Sequence, residues 1–137
     1  MTDLPPVELC VGAVLVDDGR LLLVRRGRAP GAGEWSVPGG RVQSGETLPE
    51  AVLRELMEET GIEGLCGDLL GWVELIDHGH HFVVLDFAVT TLDPIEPVAG
   101  DDALDAEWVA LDEVGEWALV EGLAQFLIDN DIIERTI

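Results

Sequence analysis

The chain reads as a single α+β domain in which a mixed sheet lies between helices, and three observations point there. Its 137 residues are 47% hydrophobic, which suits one buried core. β-rich runs stand on both sides of one helical segment, and a second helical segment closes the chain. Connections are short, with no repeat, linker or low-complexity block over 1–137.

Glu8 to Val16 (ELCVGAVLV) and Arg20 to Val24 (RLLLV) are β-rich, and Asp17-Asp18-Gly19 between them supplies hairpin chemistry. Arg25 to Glu34 (RRGRAPGAGE) is rich in Gly and Arg and reads as a flexible loop suited to ligand contact, before Trp35-Ser36-Val37 returns to extended chain. A helix is expected from about Leu48 to Thr60. Thr47 and Glu50 form a capping-box signature, Pro49 is tolerated in the first turn, and Gly61 marks the end. Leu69 to Ile76 and Phe82 to Thr90 read as strands around an Asp77 to His81 turn, with a short third run at Glu107 to Ala110. Val120 to Asn130 has the apolar spacing of an amphipathic helix.

Seven basic residues against 28 acidic ones give a net charge of −21, which repels a polyanionic backbone and argues against a nucleic-acid polymer as partner. All seven are arginine, and three of them stand together as Arg25, Arg26 and Arg28. No stretch approaches the roughly 20 apolar residues of a membrane helix, and the N-terminus lacks the basic and apolar regions of a signal peptide. A cytoplasmic protein without a membrane partner is expected. Cys10 and Cys66 sit in apolar runs without CxxC spacing and read as buried free thiols.

On the central helix Glu55, Glu58 and Glu59 fall at i, i+3 and i+4, so three carboxylates share one face within a turn. Such oxygen donors suit Mg²⁺ or Mn²⁺ better than zinc. A solvated acidic face fits the helix alone equally well. The preceding Gly39-Gly40-Arg41-Val42-Gln43-Ser44-Gly45-Glu46 shifts the balance, because its glycines let the backbone turn tightly against the helix and offer a carbonyl to the same ion.

Gly40, Glu46, Arg54-Glu55-Leu56, Glu58-Glu59 and Gly61-Ile62 together match every specified position of the 23-residue box of the Nudix hydrolases, and the chain resembles that family. Trp35 to Gly40 and Glu107-Trp108-Val109 extend the likeness over most of the sequence. The resemblance implies an αβα sandwich, with Glu55, Glu58, Glu59 and the Gly39 carbonyl holding Mg²⁺, or Mn²⁺ in its place. It makes Arg54 and Glu46 organisers of those acids, Glu55 or Glu58 a water-activating base, and Asp102 a further acid, with Asp101 as its substitute. Arg25 stands where short members contact a phosphate, with Arg26 and Arg28 behind it. Family habit and strand edges that need protection point to a homodimer.

The implied reaction is cleavage of a phosphoanhydride in a nucleoside diphosphate linked to another group. Enzymes of this family acting on ADP-ribose often carry a proline 16 residues past the box, where this chain has His78, and those acting on diadenosine polyphosphates often carry a tyrosine, which this chain lacks altogether. A MutT-like nucleoside triphosphate pyrophosphohydrolase is therefore expected, with ADP-ribose or another nucleoside diphosphate sugar as the alternative substrate. A catalytically silent nucleotide-sensing module is the rival from another class. His78, His80 and His81 read as a polar turn, Phe82 and Phe87 as core, and Trp35 as either packing or a base-stacking surface.

Overall fold

The computed structural model describes residues 4–77, 79–100 and 102–135, so Asp101 and His78 fall outside it. Strand β1 (Val7–Asp17) and β2 (Arg20–Arg26) form the expected hairpin. Asp18 and Gly19 both take positive φ, 49° and 72°, as a two-residue turn matched to strand twist requires. Beyond it come β3 (Trp35–Ser36), β4 (Gly39–Arg41), helix α1 (Leu48–Thr60), β5 (Leu65–Asp77), β6 (His80–Thr90), β7 (Ala103–Ala110) and helix α2 (Leu123–Asp129).

The strands form one seven-stranded sheet, ordered β3-β2-β1-β6-β5, with β4 added to β1 and β7 to β2. β1 runs parallel to β6 over Val7–Leu15 while the other strand-to-strand pairings among the described residues are antiparallel, so the sheet is mixed as expected. Strand alternation builds two cores from the same strands. Val11, Ala13 and Leu15 of β1 and Leu22 of β2 pack with Ala51, Val52 and Leu56 of α1. Val14, Leu21 and Leu23 point the other way, to Leu123, Phe126 and Leu127 of α2. This gives the helix–sheet–helix sandwich.

Helix α1 has the predicted limits because its ends are locally determined. Thr47 accepts from the Glu50 amide at 3.2 Å, Glu50 accepts from the Thr47 amide at 2.9 Å, and Gly61 closes the helix at φ 74°. Elsewhere the boundaries moved. Arg25 and Arg26 belong to β2 and are paired with Asp105 and Ala103 of β7, so the flexible loop starts only at Gly27. Gly39–Arg41 forms a strand that no propensity announced; it is made by pairing with Gly12, Val11 and Cys10. β5, β6 and β7 begin before their β-rich runs, and His80 and His81 lie in β6 rather than in a turn. Helix α2 is shorter than expected because the Trp35 and Val120 backbones are hydrogen-bonded and Gly122 takes φ 87°. Cys10 is buried and its thiol pushed up to about 11 by burial, whereas Cys66 is only partly buried. Among the described residues no helix is long and apolar enough to cross a membrane.

Removing the Thr47 hydroxyl leaves the Glu50 amide without its acceptor at the helix end. Thr47→Ala should cost about 1 kcal/mol, a fall in Tm of roughly 4 °C, read by thermal unfolding; an unchanged Tm would mean that the box does not support α1.

Candidate functional site

The site begins with the helical period. Ala51, Val52, Leu56 and Thr60 form the buried stripe of α1. Glu59 falls just inside its edge, Glu55 at the border and Glu58 outermost. Exposure follows: the Glu58 side chain is 57% exposed and that of Glu55 15%. Together with Asp102 these three acids line one cavity of about 390 Å³.

Arg54 braces the group. Its Nε and Nη2 donate to the two oxygens of Glu46, at 2.9 and 2.7 Å, in a bidentate fork. Nη1 donates to Glu55 at 2.8 Å and to Glu58 at 3.1 Å, and Nη2 also reaches the Arg41 carbonyl at 3.0 Å. One guanidinium thus ties the loop before the helix to two helix acids. The fork and the Gln43 amide, which donates to Glu46 at 2.8 Å, hold the Glu46 carboxyl down at about 2. Burial works the opposite way on Glu55, raising its pKa despite Arg54. Burial raises Glu59 further, to about 8, with Gly39 and Arg26 opposing and the Glu55 and Asp102 charges adding.

Close backbone approach completes the arrangement. The Gly39 amide donates to Glu59 at 2.7 Å, and a Cβ on Gly39 would stand 2.2 Å from the Val11 carbonyl oxygen. A Cβ on Gly40 would lie 2.6 Å from the Glu55 carboxyl, so only glycine admits that acid. On the far side the loop before β7 is fastened to the end of α1: Val98 donates to the Thr60 carbonyl and Gly100 to that of Glu59. That stitching brings Asp102 to the helix acids. Its carboxylate pairs with Arg28, and its carbonyl accepts from the Gly27 amide at 3.1 Å. Arg28, Gly27 and Asp102 also line a smaller adjoining cavity of about 140 Å³.

The three clustered arginines have different partners. Arg26 donates to the Pro30 carbonyl at 2.7 Å and its charge acts on Glu59, while Arg28 sits on Asp102. Arg25, the residue singled out from the sequence, is exposed and donates to the Gly33 carbonyl at 3.0 Å. The β2–β7 register shifts between Arg25 and Arg26, and of the two the charge of Arg26 is the one that acts on Glu59. Trp35 packs edge-on against Trp117 at 4.7 Å, and Phe87 is core, whereas Phe82 is only partly buried and stacks on His80. His81 pairs with Glu74 at 2.7 Å, away from the acids. One residue escaped the reading of the sequence: Asp86, a buried acid in the apolar run FVVLDFAV, where its setting alone could have drawn notice.

Three helix acids and Asp102 line the cavity, Arg54 answers only Glu55 and Glu58 among them, and such a set of oxygen donors suits a hard divalent cation. Among the described residues no three acids are already disposed to hold an ion, since Glu55 and Glu58 turn to Arg54 and Glu59 to Gly39. The donor chemistry fits; cation binding requires those carboxylates to exchange partners.

A NUDIX domain family profile matches residues 7–129. The chain is 38% identical over 112 residues to the ADP-ribose pyrophosphatase of Methanocaldococcus jannaschii, a match covering 80% of this chain and 66% of that protein. It is 49% identical over 78 residues to the oxidized purine nucleoside triphosphate hydrolase of Danio rerio, covering 51% of this chain and 50% of that protein. The crystal structure of a MutT NUDIX hydrolase from Burkholderia pseudomallei superposes with a TM-score of 0.80 at 35% identity, over 89% of this chain and 96% of that one. The chain thus spans two thirds or less of the length of these two curated relatives.

Glu46 gives the site a signature in acid. Its folded value of about 2 lies below the ordinary 4.5, so the stability it contributes is full above pH 4.5 and is lost as pH falls through about 2. Glu46→Gln should flatten the decline of Tm over that window; an unchanged acid limb would show that the Arg54 fork does not hold Glu46 ionised.

Proposed function

The chain belongs to the Nudix family, and from that membership we propose that it is a divalent-metal-dependent hydrolase cutting a phosphoanhydride in a nucleoside diphosphate linked to another group. The observation that carries this reading is the convergence of Glu55, Glu58, Glu59 and Asp102 on one cavity, braced by Arg54. Glu55, Glu58, Glu59 and the Gly39 carbonyl would hold Mg²⁺, or Mn²⁺ in its place. The bound ion would neutralise phosphate charge and acidify water.

The chain's own residues do the rest. Arg54, fixed by Glu46, keeps Glu55 and Glu58 apart and oriented, and Glu55 or Glu58 accepts the proton of the attacking water. Arg26 and Arg28 supply the positive charge for the phosphates, Arg28 by exchanging its Asp102 partner for a phosphate oxygen. Water oxygen attacks phosphorus in line as the anhydride oxygen departs.

For the substrate we favour a nucleoside triphosphate, split to a nucleoside monophosphate and pyrophosphate. Asp102 beside the helix acids and the likenesses to the MutT structure and the triphosphate hydrolase support it. ADP-ribose or another nucleoside diphosphate sugar is the second reading, favoured by the 38% identity to the archaeal pyrophosphatase. The intact acid set weighs against a silent sensing module.

A panel of nucleoside triphosphates, oxidised nucleotides, ADP-ribose, NADH and diadenosine polyphosphates, with Mg²⁺ or Mn²⁺ and products identified by mass, tests this. Pyrophosphate plus a monophosphate is expected; AMP plus ribose phosphate would promote the second reading, and no turnover on any member would reject both. On the best substrate Glu58→Gln should lower kcat by about 10²-fold or more, and Arg54→Lys by about 10- to 100-fold, since lysine cannot reproduce the fork. Full turnover by Glu58→Gln at saturating Mg²⁺ would remove Glu58 from the site.

A further inference from the structure

Four strands are crossed by a row of residues of which only one has a side chain. Gly39 of β4 is paired with Gly12 of β1, Gly12 with Asp86 of β6, and Asp86 with Gly71 of β5. Paired residues project to the same face, here the α2 face, where Val14 and Val73 are neighbours two positions along β1 and β5. The Asp86 carboxyl leans across Gly12: a Cβ there would stand 2.0 Å from Asp86 Oδ1 and 3.1 Å from Val37 Cγ2. The missing side chain of Gly12 is the space that the carboxyl occupies.

That carboxyl is unsupported. Asp86 is 3% exposed, its Oδ1 is fully enclosed, and no described residue donates a hydrogen bond to it. Burial raises its pKa to about 7. An unpartnered buried acid destabilises a fold, and valine would fill the place without that cost. Half-buried apolar groups, Trp35, Val37, Val73, Trp117 and Val120, surround the α2 core on this face. An unpaired polar group among apolar ones is the chemistry by which a small-molecule site fixes the orientation of its ligand.

The row also leads to the acids. Gly39, whose amide is bound to Glu59, stands two strand spacings from Asp86, about 10 Å. Among the described residues β4 pairs with β1 alone, so the sheet stops there and a ligand anchored at Gly39 can turn onto the α2 face. Trp35, Val37 and Gly39 lie on one short segment that joins the apolar wall to the acid cavity.

We propose that Asp86 selects the base of the nucleotide, exchanging a pair of hydrogen bonds with a base edge on the α2 face while the phosphates lie at Glu55, Glu58 and Glu59. This rests on the hydrolase reading for the phosphate end of the ligand. A protonated carboxyl offers one donor beside one acceptor, the complement of a base edge with an amino or imino N–H next to a ring nitrogen or carbonyl. A site so built penalises any base that leaves the acid unpaired.

Binding of the four ribonucleoside 5′-monophosphates, followed by tryptophan fluorescence and calorimetry, tests the inference without requiring turnover. The protein should prefer some bases over others. Asp86→Leu should weaken the preferred one about 10- to 100-fold, level the ranking and raise the Tm. Asp86→Asn, which keeps a donor beside an acceptor, should retain the ranking. If Asp86→Leu does not fold, Gly12→Ala, which drives the carboxyl from its place, should level the ranking instead. A protein indifferent to the base, or variants that keep both affinity and ranking after the carboxyl is removed or displaced, would overturn the assignment. Base-selective binding through Asp86 by a protein that hydrolyses nothing in the substrate panel would leave this inference standing and remove the hydrolase reading alone.

Discussion

The site depends on one arginine holding acids that would otherwise repel one another. Glu55, Glu58 and Glu59 crowd a single helical turn, and a chain carrying a net charge of −21 has little positive charge to spare. Arg54 meets this need from within the same turn, anchored by Glu46 and shared between Glu55 and Glu58. Because the fork is planar and bidentate, it fixes direction as well as charge. The loop before α1 is drawn in with it, through Glu46 and the Arg41 carbonyl, so Gly39 and Gly40 arrive against the helix as a consequence of the same contact.

Glycine serves the architecture by absence. At Gly39 and Gly40 the missing side chains let β4 close on β1 and admit Glu55. At Gly12 the vacancy is filled by the Asp86 carboxyl. Gly100 allows the loop before β7 to lie against the end of α1, where a Cβ would stand 1.7 Å from the Glu58 carbonyl oxygen. Each close approach joins segments distant in sequence, and each contributes to where an acid stands.

Positive charge is distributed more finely than the cluster Arg25, Arg26 and Arg28 suggests. Arg25 and Arg26 are engaged by different carbonyls of the following loop, and Arg28 is matched to Asp102 on the neighbouring loop. The acid cavity is therefore flanked by Arg26 and Arg28, each already engaged with a carbonyl or a carboxylate. A phosphate entering the site competes with partners already in place.

Local chemistry was legible in the sequence. The capping box Thr47–Glu50, the Gly61 stop, the i, i+3, i+4 spacing of the acids and the Asp18–Gly19 turn all act within a few residues, so helix α1 and the first hairpin stand where they were expected. The sandwich itself followed from the alternation of β-rich and helical runs and from the family resemblance. Only the tertiary structure decided that Gly39–Arg41 is a strand, that Arg26 acts on Glu59 and Arg28 pairs with Asp102, and that Asp86 lies unpaired beside Gly12. These outcomes rest on pairings tens of residues apart, between groups whose own propensities are weak or misleading: a glycine carries no strand preference, and an acid in an apolar strand reveals nothing until its neighbours are known.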